Sequence, residues 1–202
     1  MAFDSFLYFQ QDKGSKDLVP EGESTDPQFA SFKAFEIKSF GFGAANNVTI
    51  SSQSRGAGAG KATFEKFKFS KSCDSGSPLL FTACAAGKHI DYAVLVLRKA
   101  GGATGGTFQP PYLIFIFNFV YIDTIAWSGS SGDDVPSEDV TFAYGAMQIT
   151  YRKQDSTGKL IGSPYDGVWS AVLNRPHLAV VDGGGGTPPS LPTGISAKAA
   201  QY

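Results

Sequence analysis

Apolar and polar positions alternate along most of this chain with a period near two, the signature of strands. Residues 6–9, Phe-Leu-Tyr-Phe, read as a first strand. A polar loop follows over 10–29, containing Pro20, Gly22 and Pro27. Residues 35–38 alternate again, and Phe40 and Phe42 come next. Residues 41–60 are rich in Gly, Ala, Ser and Asn and predict a long loop around a short strand at Val48, Thr49 and Ile50. A strand is expected over 63–69, where Lys66, Phe67, Lys68 and Phe69 place one face in the core and the other in water. Further strands are expected over 89–99, 112–127, 140–151 and 168–173. Polar Gly/Ser/Asp clusters at 101–106, 128–136 and 155–164 separate them.

One segment breaks the pattern. Ser77 is placed as the N-cap of a helix, Pro78 as its first residue and Gly87 as its stop. Serine satisfies an orphan backbone N–H, proline has no N–H to lose there, and glycine adopts the left-handed conformation that ends the helix. The helix is apolar on almost every side and should be largely covered. Seven or so strands with one flanking helix at about 77–87 predict an all-β fold, a two-sheet β-barrel or sandwich.

Two strands are apolar on both parities. On strict alternation Ile114, Ile116, Val120 and Ile122 share one face with Tyr112, interrupted by Asn118. Leu113, Phe115, Phe117, Phe119 and Tyr121 share the other, and residues 92–97 repeat the doubling. An antiparallel sheet commonly wets one face. Here the second face needs cover, from an opposing layer of the same chain or from a neighbouring copy, and periodicity does not choose between them.

Composition adds little that is specific. The 202 residues suffice for one domain, and 17 basic against 18 acidic side chains give no pull toward nucleic acid or a membrane surface. Only 17% of residues are charged, while Gly (24) and Phe (17) are abundant, which suits surface hidden against copies of itself or simply a turn-rich β fold. Cys73 and Cys84 are expected to be small apolar fillers. The first residues lack a basic region followed by an apolar stretch, so cytosolic synthesis without a signal peptide is expected, and no apolar run is long enough to span a membrane. Residues 1–181 are read as the domain, and 182–202, with four consecutive glycines and Pro188, Pro189 and Pro192, as a flexible or extended tail.

Candidate chemistry is sparse. Residues 56–61 end in Gly60-Lys61 but lack the first glycine and the Ser/Thr of a phosphate loop, and they precede a strand. His89 and His177 have no nucleophile elbow near them in sequence, and a turn or cap role is expected for His89. Asp133, Asp134, Glu138 and Asp139 crowd one turn, read as solvated in preference to a calcium site. Asn47-Val48-Thr49 fits the glycosylation pattern but carries little without a secretory signal. No catalytic residue, metal or cofactor is expected.

Residues 2–7 and Gly22-Glu23-Ser24-Thr25, then 64–71, 77–81 and 83–90, follow one another in an order that resembles the haemolysin-coregulated protein (Hcp) family of type VI secretion, the first two its opening and the rest its strand-then-helix centre. Residues 95–101, 128–133, 136–138 and 151–155 look like later segments. The resemblance spans about residues 2–175 and departs from the family in the tail and in the longer loop over 10–20. It implies a β-barrel subunit closing into hexameric rings that stack into a hollow tube, with some apolar strand surface buried between subunits. Implied partners are further copies, a spike protein, a sheath, a baseplate and small effectors in the lumen, and the implied destination is the extracellular space or a target cell. The loop over 41–60 is the expected contact between copies, with Gly41, Gly43, Asn47, Ser51, Arg55, Gly58 and Lys61 as candidate residues. The alternative is a monomeric β-sandwich that binds a ligand such as a carbohydrate.

Overall fold

A computed structural model describes residues 3–11, 19–50, 57–100, 109–180 and 189–192, with 47–50 and 57–59 as backbone only. The strands are β1 (Phe3–Gln10), β2 (Phe35–Glu36), β3 (Ser39–Gly41), β4 (Ala44–Ile50), β5 (Ala57–Phe64), β6 (Phe67–Ser72), β7 (His89–Lys99), β8 (Leu113–Ser128), β9 (Ser137–Gln154) and β10 (Leu160–Ser170). The helix α1 (Ser77–Ala86) lies between β6 and β7, and a 3-10 turn spans Ala30–Phe32. Eight strands form one antiparallel sheet in the order β2-β1-β7-β8-β9-β6-β3, with β10 on β9; β4 and β5 form a separate pair. The fold is all-β and sandwich-like, and among the described residues the sheet does not close into a barrel.

The sandwich arises because β9 changes partner along its length. Residues 137–142 pair with β6, whereas 146–154 pair with β10. At the fork sits Gly145, where a Cβ would lie 2.5 Å from Val180 Cγ1 and 3.2 Å from Val172 Cγ2. The two halves enclose an aromatic core, with Phe67 stacked on Phe142 at 4.7 Å and Phe117 edge-on to Phe67 at 5.0 Å. Each such side chain contributes about 1.5–3 kcal/mol through burial.

The strict alternation expected for β8 fails at Phe119. The inward residues run Leu113, Phe115, Phe117 and then Val120 and Ile122, so the faces exchange midway. Phe119 takes φ +60°, the left-handed region, at a cost of about 1–2 kcal/mol for a side chain with a Cβ. The same exchange crosses the neighbours: Ile90 and Ala93 face the core on β7, and Tyr144 and Met147 on β9. Asn118 Nδ2 donates to the Asp91 carbonyl at 3.1 Å, binding β8 to β7 where the faces cross. Tyr121 and Phe119 therefore point away from the position that alternation assigned them.

Cover for the second apolar face comes from the chain itself, contrary to the expectation of burial between copies. Ile114, Ile116, Val94 and Val96 are at most 2% exposed. They lie beneath Phe29 and Ala34, with Phe32, Leu160, Leu178 and Leu191 packed alongside. Phe29 stacks on Phe6 at 4.0 Å. Above the pair, Arg98 bonds Asp4 at 3.2 Å, Asp26 at 2.5 Å and Gln28 at 3.0 Å, and lies 5.0 Å from the Phe6 ring. This ionic clamp fixes the loop over 19–34 to β1 and β7.

Local expectations are corrected in four places. The helix includes Ser77, with Gly76 as N-cap, and Asp74 Oδ1 accepts from the Gly76 N–H at 3.0 Å. Ser77 is drawn away from capping because its hydroxyl joins a buried network: it donates to Glu138 at 2.5 Å and accepts from Lys71 at 3.0 Å. The strand expected over 63–69 is two strands, β5 and β6, divided at Glu65 and Lys66. The loop expected over 155–164 is a turn at 155–158 followed by β10, where Pro164 falls inside a register shift between Ile161 and Tyr165. Residues 41–60 hold a β-ribbon instead of a loop with one short strand. Gly87 ends α1 with φ +60°, as expected, and the strand over 89–99 has the expected bounds.

Lys71 lies 2.8 Å from Asp74 and 2.9 Å from Glu138, with both Lys71 and Glu138 side chains at most 1% exposed. Replacing Glu138 alone by Leu leaves a buried ammonium short of a partner and is expected to cost about 3–5 kcal/mol. The double change Lys71→Met/Glu138→Leu should recover most of that loss; denaturant unfolding checks both, and a single variant within about 1 kcal/mol of wild type contradicts the network's role. Gly76 packs so closely that a Cβ would meet the Glu21 carbonyl oxygen at 2.4 Å and the Phe35 ring at 2.5 Å. Gly76→Ala is expected to destabilise by about 1–3 kcal/mol, read in the same experiment.

Candidate assembly surface

The ribbon β4–β5 grows out of aromatic anchors on the core. Phe42, just before β4, lies edge-on to Phe115 at 5.0 Å and Phe117 at 5.4 Å. Phe64, the last residue of β5, stacks on Tyr144 at 5.2 Å. The Glu65 N–H donates to the Gly43 carbonyl at 2.9 Å and closes the ribbon's base. Outside it, Lys66 Nζ reaches both Asp123 carboxylate oxygens at 2.9 Å, an exposed pair of small energetic weight. Burial pushes the Tyr144 phenol well above its ordinary range, and the nearby Glu65 carboxylate pushes it the same way.

Beyond these anchors, among the described residues, the ribbon pairs only with itself. Ala44 opposes Phe64 and Ile50 opposes Ala57, and no strand of the eight-stranded sheet joins either edge. Between the pairs Asn46–Ala62 and Val48–Ala59 the register slips. Asn47 on one strand thus faces the two residues Gly60 and Lys61 on the other, a bulge that increases local twist.

The expected assembly residues are placed unevenly. Asn47 and Lys61 meet at the bulge, Gly58 opposes Thr49, and Gly43 sits at the base. Gly41 belongs to the main sheet, where it ends β3 opposite Lys68. Ser51 and Arg55 lie outside the described residues. Phe42, Phe64 and Tyr144, which orient the ribbon, are not among the expected residues; the aromatic pair flanking a Gly/Ala-rich stretch was the available signal.

The other motifs disperse. Glu138 is buried against Lys71, Asp133 accepts from the Ser130 N–H at 2.9 Å, and Asp139 accepts from the Ser70 hydroxyl. These carboxylates serve different partners. His89 lies 3.5 Å from Asp91, among the Phe119 and Tyr121 rings, while His177 Nδ1 accepts from the Ala179 N–H. Cys73 and Cys84 are free thiols, each partly buried. Residues 57–60 are strand, so no helix follows the glycines of the phosphate-loop lookalike.

Several apolar side chains remain on the surface. Phe81 of α1 and Trp127 of β8 face each other at 6.0 Å, each about half exposed (51%). Ile161 and Tyr165 are exposed on β10, and the Lys153 ammonium lies 5.5 Å from the Tyr165 ring. No helix among the described residues is long and apolar enough to cross a membrane.

Comparison with known proteins then places the chain. Residues 8–151 match the model of the family described as type VI secretion system effector, Hcp. The chain is 33% identical over 114 residues to protein hcp1 of Pseudomonas aeruginosa, covering 56% of this chain and 68% of that protein. Among solved structures, a type six secretion system protein superposes with TM-score 0.73 at 29% identity, over 86% of this chain and 99% of that one. Hcp1 from Salmonella typhimurium superposes with TM-score 0.61 at 26% identity, over 87% and 99%. The chain belongs to the Hcp family: it is a tube protein of type VI secretion, structural and not an enzyme.

Proposed function

We propose that this protein forms hexameric rings that stack into the inner tube of a type VI secretion apparatus, with small effector proteins carried in the lumen. It is made in the cytoplasm and leaves the cell as part of the tube. Its partners are further copies of itself, a spike protein, the sheath and the baseplate. Family membership over residues 8–151 supports the tube over the monomeric sugar-binding alternative.

The observation that carries the assembly reading is the β4–β5 ribbon, which among the described residues has no ladder to the main sheet. An isolated two-stranded hairpin is marginally stable in water. Among the described residues neither edge has a ladder to another strand, and such an edge is open to pairing with another chain. Its strands, AANNVTI and AGAGKATF, are rich in small residues with little side chain to bury, so the ribbon gains most by lying against a neighbouring copy. Contacts of this head-to-tail kind close rings when the rotation closes and extend filaments when it does not.

Electron microscopy of the purified protein should show rings or tubes; uniformly monomeric particles at high concentration contradict the proposal. Deleting Ser51–Gly58 should abolish stacking while leaving the unfolding temperature within about 4 °C of wild type. Unchanged tubes after that deletion would show that the ribbon is not the connector.

A further inference from the structure

Residues 152–202 lie beyond the family match, yet within the segment 189–192 Ser190 and Leu191 contact β1 or the cluster it belongs to. Pro189 and Pro192 are buried. Leu191 packs against the cluster that contains Phe6, Tyr8, Val94 and Ile116. The Tyr8 hydroxyl donates to the Ser190 carbonyl at 2.5 Å, and the Ser190 N–H donates to Gln10 Oε1 at 2.9 Å. Tyr8 and Gln10 are two positions apart on one strand and so point to the same face. Together they satisfy both backbone polar groups of a single residue. The Ser190 side chain itself is turned to solvent.

This is how extended peptides are recognised: backbone groups are read by fixed donors and acceptors, and flanking side chains fill apolar seats. Proline on either side restricts the segment before it docks, so little chain entropy is lost on seating. The Tyr8 ring packs at 4.9 Å from Phe32. A buried phenolic O–H calls for an acceptor, and the Ser190 carbonyl supplies one. We propose that β1 carries a binding site for an extended Pro-Ser-Leu-Pro peptide, and that residues 189–192 are its resident occupant, held in cis. While they are seated the site is closed to other chains; when they lift, it accepts a segment of the same chemistry. This assignment is independent of the ring and tube reading.

Two measurements on the full-length chain test it. Amide exchange of Ser190 should be at least about tenfold slower than in a free peptide and should return to the free rate in Gln10→Ala. A labelled peptide of residues 187–194 should ignore the wild-type chain and bind the Leu191→Asp chain, whose own segment is displaced. Adding Tyr8→Phe to that variant should weaken the peptide about tenfold. A Ser190 amide that exchanges freely in the wild type overturns the proposal, as does a folded Leu191→Asp chain that fails to bind, or equal binding to both chains. Should Leu191→Asp not fold, the exchange measurement still decides.

Discussion

Two central strands with oil on both faces set the terms of this structure. β7 and β8 present Val94, Val96, Ile114 and Ile116 on one side and Ala93, Leu95, Phe117 and Val120 on the other. A sheet in that position needs two covers. One is the far half of the same sheet, folded over through the fork at β9. The other is assembled from pieces without regular structure or nearly so: the 3-10 turn, the loop held by Arg98, Leu178 and Leu191. The crossing of faces at Asp91, Phe119 and Gly145 lets the long strands serve both halves of the sandwich. Its cost is one aromatic residue in left-handed backbone.

Since the subunit shelters these strands internally, assembly cannot be inferred from them. That separates stability from association. The core is closed by local partners, while the ribbon stands outside the main sheet and aromatics such as Phe81, Trp127 and Tyr165 remain exposed. The ribbon is rooted in packed aromatic anchors and, among the described residues, pairs with no strand of the main sheet. A rigid root with open strand edges suits a connector between subunits.

Much of this was legible in the sequence. Alternation located β6 and the bounds of β7, and Gly87 marked the helix end because only a residue tolerant of left-handed backbone ends a helix that way. The order of short motifs identified the family. The misses have physical causes. Gly and Ala have low strand propensity, which hid the β4–β5 pairing behind a loop-like composition. Phe119 carries no local signal for positive φ, so the exchange of faces could not be seen. Ser77 looked like a cap because its buried partners, Lys71 and Glu138, are brought together only by the fold. The cover of the second face came from stretches that read as polar loop and tail, since a few well-placed side chains, Phe29, Phe32 and Leu191, suffice. Among the expected assembly residues, Asn47, Gly58 and Lys61 lie on the ribbon, Gly43 at its base and Gly41 on the main sheet.

The division between a self-sufficient core and a ribbon completed by a neighbour is tested most directly by hydrogen exchange compared between dilute subunits and assembled particles. The account predicts that amides of β7 and β8 are equally protected in both states, while those of β4 and β5 exchange quickly in dilute subunits and slow on assembly. Protection of β7 and β8 that appears only on assembly, or a ribbon already protected in the lone subunit, would contradict it.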